Sequence, residues 1–332
     1  MKRILTLFLA LALTLSLAAC AAPGEKADDG RLQIVATLFP YYDFARAIAG
    51  GRADVTLLLS PGREAHSFEP TPLDAVTISE ADVFLYNGGE GEYWVEEMLD
   101  AAGEHIAVKA RMMDYVDALG EELSEGMQGA DEHGHDHDHA DHDHDHEEDE
   151  HDSDEIEYDE HIWTSPKNAA ILCRAVCEAI CKADPANEDF YRANCDGYCA
   201  QLEELDARFS ALCESAPRKL LIFADRFPML YFCREYGLDY RAAFHGCSGD
   251  TEPSLATIKF LIDKVEDENI PVVYTIDFGT KKVAAVVSEC TGAAIETIYS
   301  MQTVSRADFD AGETYLTLME RNFEALRKGL NE

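Results

Sequence analysis

At 332 residues, 47% of them hydrophobic, the chain carries enough apolar material for two sizeable cores. Its formal charge is -38, from 65 Asp and Glu against 27 Lys and Arg, which excludes a basic nucleic-acid footprint and favours cations as partners. Residues 121–160 hold 20 of those acids and no Lys or Arg, so this one segment supplies about half of the net charge.

The chain begins with Lys2 and Arg3 before an apolar run from Ile4 to Leu17, too short for a comfortable membrane span. Leu17-Ala18-Ala19-Cys20 resembles a bacterial lipobox. That resemblance implies cleavage before Cys20, lipidation of the new N-terminal cysteine, and a membrane anchor outside the cytoplasm. An ordinary signal peptide cut nearby is the alternative. Residues 1–20 are then the leader and 21–30 a flexible tether.

Leu32 to Ala36 suits a buried parallel strand, and an amphipathic helix follows it to Gly50-Gly51. Val55 to Leu59 predicts a second strand, broken by Ser60-Pro61-Gly62, and the next loop carries Glu64, His66 and Glu69 before Pro70 and Pro72. A helix over 73–80, a strand over 82–86, a helix around Trp94 and a short strand over 106–108 complete the first half. Past Pro166, helices are predicted over 167–182 and, as one long element, from Asn187 to about Glu214. The second half repeats the alternation: a strand over 220–224, a helix to Tyr236-Gly237, a loop over 240–254, a helix over 255–266, a strand over 272–277, a helix over 281–290, a strand over 295–299 and a closing helix over 309–330. Strand and helix in alternation predict an α/β fold of two lobes, each a parallel sheet flanked by helices. The lobes span 31–184 and 217–332, and the helix over 185–216 joins them.

Between the halves runs a low-complexity stretch, expected to be disordered over 121–158. It carries His133, His135, His137, His139, His142, His144, His146 and His151, eight imidazoles that alternate with acids. Such a run cannot build a core, but it can gather zinc, copper or nickel at many weak sites. Apart from Cys20, nine cysteines remain. The odd number cannot pair fully within one chain, and Cys173, Cys177 and Cys181 mark a helix face of small apolar residues.

Ligands of open parallel sheets collect at the carboxyl ends of the strands. His66 follows the second strand, Asp225 follows the strand over 220–224, and His161 precedes a helix beside the long one, so the three can converge between the lobes. Imidazoles with a carboxylate suit Zn²⁺ or Mn²⁺.

Two stretches carry a resemblance. Gly62-Arg63-Glu64-Ala65-His66-Ser67-Phe68-Glu69-Pro70-Thr71-Pro72 resembles the first metal-ligand loop of the zinc and manganese ABC-importer solute-binding lipoproteins, and Asp159-Glu160-His161-Ile162-Trp163-Thr164-Ser165-Pro166 resembles the second. The resemblance covers about 32–330 and implies two α/β lobes joined by a rigid helix, with a metal ion held between them and passed to a membrane permease. It implies a third ligand near Phe223-Ala224-Asp225-Arg226-Phe227, where the family has His or Glu, and Asp225 is the nearest carboxylate. It implies a fourth near Ser300-Met301-Gln302-Thr303; Gln302 is a weak donor there, and His245 or Glu64 are alternatives. A second carboxylate or a water is expected to complete the shell. The expected protein is a monomeric, lipid-anchored, extracytoplasmic zinc-capture protein without enzymatic activity; the alternatives are a zinc hydrolase, which HExxH or a nucleophile elbow would have favoured, and a metal-buffering surface adhesin without a permease.

Overall fold

The computed structural model describes residues 30–65, 67–102, 105–127, 157–248 and 252–331. Two four-stranded parallel sheets organise them. The first contains β1 (Leu32–Ala36), β2 (Ala53–Leu57), β3 (Val83–Tyr86) and β4 (Val108–Arg111) in the order β2-β1-β3-β4. The second contains β5 (Leu220–Phe227), β6 (Asp239–His245), β7 (Val272–Ile276) and β8 (Ala294–Ile298) in the order β6-β5-β7-β8. The same winding therefore occurs twice. In each lobe the first strand lies between its two successors, so the connections leave it in opposite directions and open a crevice at the carboxyl ends of β1/β3 and β5/β7. Central strands with both faces covered read as unbroken apolar runs, and β3 (VFLY) and β7 (VVYTI) are buried along their whole length.

Helices cover the sheets: α1 (Phe39–Ala49), α2 (Pro72–Ser79) and α3 (Trp94–Ala102) in the first half, then α4 (Pro166–Ala183) and α5 (Glu188–Ser215), then α6 (Leu230–Tyr236), α7 (Leu255–Asp267), α8 (Lys282–Thr291), α9 (Arg306–Ala311) and α10 (Tyr315–Asn331). Local chemistry sets their ends. Thr71 and Asp74 form a reciprocal capping box at the start of α2, and Ser165 caps α4, whose first residue is Pro166. The 28 residues of α5 give a rod of about 42 Å. Its buried stripe runs from Tyr191 through Cys195, Tyr198, Leu202 and Leu205 to Phe209 and Leu212, against α1 and α4 at one end and α6 and α10 at the other. Buried Asp43 of α1 ties the same elements together: it accepts from Tyr198 Oη at 2.7 Å and from the Tyr315 backbone N–H at 2.9 Å, and pairs with Arg46. One continuous hydrophobic core extends from Ile34 to Leu330 across both lobes, and a second, smaller cluster lies under α7 and α8.

The predicted order of elements holds, with three differences. The loop expected over 240–254 begins instead with β6, an edge strand whose exposed Asp239 and half-buried Arg241 and His245 disguise it. The closing helix is two, separated at Gly312, which adopts φ +77°. The ends of the segment expected to be disordered are built into the fold. Gly120 and Tyr158 form an antiparallel bridge, Glu121 N–H donates to Glu157 O at 2.8 Å, and Met127 is buried. The leader with Cys20, most of the tether, and all eight histidines of the run lie outside the described residues.

Candidate metal centre

The segment Asp159–Pro166 passes between the carboxyl ends of the two sheets, and His161 sits at its middle, 2% exposed. Its backbone N–H donates to Asp159 Oδ1 at 2.8 Å and its ring Nδ1 lies 3.1 Å from the same oxygen. A carboxylate beside Nδ1 favours the proton on that nitrogen, which leaves Nε2 as the one that could ligate a metal. Burial disfavours charge on this ring, but Asp159, followed by Glu160 and Glu121, outweighs it and lifts the pKa above the ordinary imidazole value. The surrounding backbone is stitched to both lobes. Asn87 Nδ2 donates to Glu160 O at 3.0 Å, Tyr231 Oη to Asp159 O at 2.7 Å, Trp163 Nε1 to Ser300 O at 2.8 Å, and Tyr315 Oη to Trp163 O at 2.6 Å. Gly246 lets the loop after β6 close on the ring, since a Cβ there would lie 3.0 Å from His161 Cε1 and 2.9 Å from Phe227 O.

His161 shares a cavity with Glu64, Arg226, Gly246, Phe278 and Gln302. Glu64 reaches it from the loop after β2, where Arg226 holds both carboxylate oxygens, at 3.3 and 3.2 Å. Gln302 is buried in the segment after β8, and its backbone carbonyl accepts from Phe39 N–H at 3.3 Å. His66 lies outside the described residues. Its neighbours are anchored: Phe68 N–H donates to Ala65 O at 3.0 Å, and the buried Phe68 ring meets Trp94 edge-on at 5.3 Å.

Two expected donors face elsewhere. Asp225 Oδ2 accepts from Thr275 Oγ1 at 2.6 Å and from Ile276 N–H at 3.3 Å, while Oδ1 accepts from Arg226 N–H at 2.9 Å. It lines a different cavity, with Phe244, Phe278 and Gly279, and staples β5 to β7. The cause is strand geometry: adjacent residues point to opposite faces, and the register of β5 against β6 shifts between Phe223 and Arg226, so Arg226 takes the cleft side. His245 pairs through Nδ1 with the Glu121 carboxylate, which also accepts from Cys247 N–H at 3.1 Å, and it does not line the cavity of His161.

Three contributors were not singled out from the sequence. Asp159, two residues before His161, was visible as an acid beside an imidazole. Arg226, a cation beside the more ligand-like Asp225, carries no metal signal in its residue type. Glu92, after the glycines that follow β3, lines an adjoining cavity with Thr37, Ala65, Asn87, Glu160 and Gln302. Burial, reinforced by Glu160, pushes its carboxyl up to about 7, although Gly88 N–H donates to it at 2.8 Å. The chemistry available is thus one oriented imidazole and oxygen donors from both lobes, with one of those donors engaged by a guanidinium. Among the described residues, the only three metal-competent side chains already within 4.8 Å of one another are Cys173, Cys195 and Cys199, so the described donors around His161 are not preassembled.

The sequence profile of a family described as zinc-uptake complex component A, periplasmic, matches residues 34–329. The high-affinity zinc uptake system protein ZnuA of Bacillus subtilis is 31% identical over 328 residues, covering 98% of this chain and 97% of that protein. The zinc-binding lipoprotein AdcA of Streptococcus pneumoniae R6 is 30% identical over 328 residues, and there the chain spans 61% of the relative's length. Among solved structures, the metal-dependent lipoprotein YcdH of Bacillus subtilis superposes with a TM-score of 0.72 at 29% identity, covering 90% of this chain and all of that one. The Zn(II)-bound ZnuA-like domain of pneumococcal AdcA gives 0.71 at 25% identity over 91% of this chain and all of that domain.

Proposed function

Because the chain belongs to the zinc-uptake complex component A family, we propose that it is an extracytoplasmic solute-binding lipoprotein that captures Zn²⁺ between its lobes and hands it to the permease of an ABC importer. The observation that carries this reading is His161: buried at the junction of the lobes, with Nδ1 engaged by Asp159, beside a cavity lined from both sheets. Cargo binding needs no open coordination position and no nucleophile, which separates this site from that of a hydrolase.

In this proposal His161 Nε2 and His66 supply two nitrogens, and Glu64 supplies a carboxylate once it leaves Arg226. Gln302 or a water completes the shell. Asp225 supports the strand that presents Arg226 and does not bind the ion. Two imidazoles favour zinc over Mn²⁺, which prefers oxygen donors. The eight histidines from His133 to His151 collect ions at low affinity ahead of the cleft, and acylated Cys20 keeps a monomeric protein beside the permease.

The test is zinc titration of the chain from residue 21 onward against a competing chelator. One tight site and several weak ones are expected. His161→Ala and His66→Ala each weaken the tight site by about a hundredfold or more, in keeping with loss of a ligand. Deleting residues 131–151, which spares buried Met127, removes only the weak class. Loss of the tight site on that deletion, or its survival in both histidine variants, would refute the assignment.

A further inference from the structure

Five cysteines meet along the seam between α4 and α5. Cys173, Cys177 and Cys181 recur every fourth residue on α4, and Cys195 and Cys199 do so on α5. The short turn at Pro185–Asn187 folds the two helices back on each other, so rows that each helix presents on one face oppose. All five are buried, at 0–5% exposure, and all are free thiols. Cys195 Sγ lies 3.8 Å from Cys199 Sγ and 3.8 Å from the Cys173 carbonyl, and Cys199 Sγ lies 3.8 Å from the Ala170 carbonyl. The sulfurs of Cys173, Cys195 and Cys199 all fall within 4.8 Å of one another.

We infer that Cys173, Cys195 and Cys199 form a three-sulfur site for a soft monovalent cation, Cu(I), separate from the cleft at His161. Thiolates around one metal at bonds of about 2.3 Å stand roughly 4 Å apart, so the observed spacing needs only a small contraction. Soft sulfur donors select Cu(I) or zinc. A closed zinc site takes four ligands; here Cys177 lies outside the group of three, and burial shuts out water as a fourth ligand. Three sulfurs with no water satisfy Cu(I). Binding is an exchange of cations: copper enters as Cu(I), each sulfur that ligates as thiolate releases its proton to solvent, and nothing is oxidised or reduced.

The experiment titrates Cu(I) into the full chain, reduced with a phosphine, against a Cu(I)-specific chelator, with near-ultraviolet sulfur-to-copper absorption and copper X-ray absorption as readouts. One Cu(I) with a sulfur-only shell is expected. It should weaken by about a hundredfold or more in Cys195→Ala and in Cys199→Ala, and stay unchanged in Cys181→Ala, which lies a turn beyond the site; zinc binding at the cleft should be the same in all three. The X-ray spectrum of the unsubstituted chain needs no variant to fold. A nitrogen shell, which the histidine run would supply, overturns the inference. So does retention of copper in both alanine variants, or a disulfide joining α4 to α5 in chain isolated without reductant.

Discussion

Arg226, at the end of β5, grips both carboxylate oxygens of Glu64, in the loop after β2, at 3.3 and 3.2 Å, and so joins the two lobes across the cavity that holds His161. Under the proposed assignment the guanidinium is a resident cation where the dication would bind, and it engages the Glu64 carboxylate assigned to that ion. Its side chain is 15% exposed, so solvent screens it only in part. Arg226→Gln should therefore tighten zinc binding by about tenfold, since unit charges a few ångströms apart at a partly screened site interact by one to a few kcal/mol. Chelator competition measures this. Equal or weaker binding in the variant would show that Arg226 serves the site by holding the lobes together and not by opposing the ion.

Asp159 touches His161 twice, at its backbone N–H and its ring Nδ1. Asp159→Asn keeps the size of the side chain and removes the charge that orients and enriches the imidazole. A drop of about ten- to a hundredfold in zinc affinity at neutral pH is expected, as for other partners of metal-bound histidines. The pH profile should move as well. The proton competes with zinc for the ring, and Asp159 is the main group lifting the His161 pKa against burial, so proton competition in the variant should set in at lower pH than in the parent. Affinity measured from about pH 5 to about pH 8 separates the two effects. An unshifted profile would mean that Asp159 acts on the backbone alone.

Central strands were legible because a strand covered on both faces must be apolar throughout, and LQIVA, VFLY and VVYTI are nearly so. The edge strand β6 was not, because one side of an edge meets solvent and tolerates Asp239 and Arg241. His161 stood out through Trp163, Pro166 and the acids before it. The choice between Asp225 and Arg226 could not be made from residue types, since it depends on which face of β5 meets the cleft after the register shift. Likewise, spacing put Cys173 and Cys177 on one face of α4, but only the packing of α4 on α5 brought Cys195 and Cys199 opposite them.

Asp225 supports the strand pair beneath the cleft, and its loss should be felt in stability. Asp225→Ala removes the carboxylate acceptor of Ile276 N–H and leaves Thr275 Oγ1, which is fully buried, with only the long contact to Ile276 O at 3.5 Å. A buried donor deprived of its partner costs about 1–3 kcal/mol. Urea unfolding should show a loss of that size, with zinc affinity of the folded variant within about threefold of the parent. A hundredfold fall in affinity with unchanged stability would restore Asp225 as a metal ligand.

Glu92 gives the fold a pH dependence of predictable sign. The side chain is buried beside Glu160, and its carboxyl in the folded chain is pushed from 4.5 up to about 7, burial being the larger cause. The unfolded chain ionises this group near the ordinary value, so the folded state binds the extra proton between the two. Stability from the protonated carboxyl is thus fully present below about pH 4.5 and is lost as pH rises through about 7. Glu92→Gln retains a neutral side chain of the same shape at every pH. Between about pH 4.5 and about pH 8, the parent should lose up to ~3 kcal/mol relative to the variant. Asp277, likewise pushed up to about 7 by burial, titrates in both chains and cancels in the difference. Paired urea unfolding curves at the two pH values give that difference directly. If it does not change with pH, Glu92 ionises alike in the folded and unfolded chains, and its burial beside Glu160 exerts no hold on its proton.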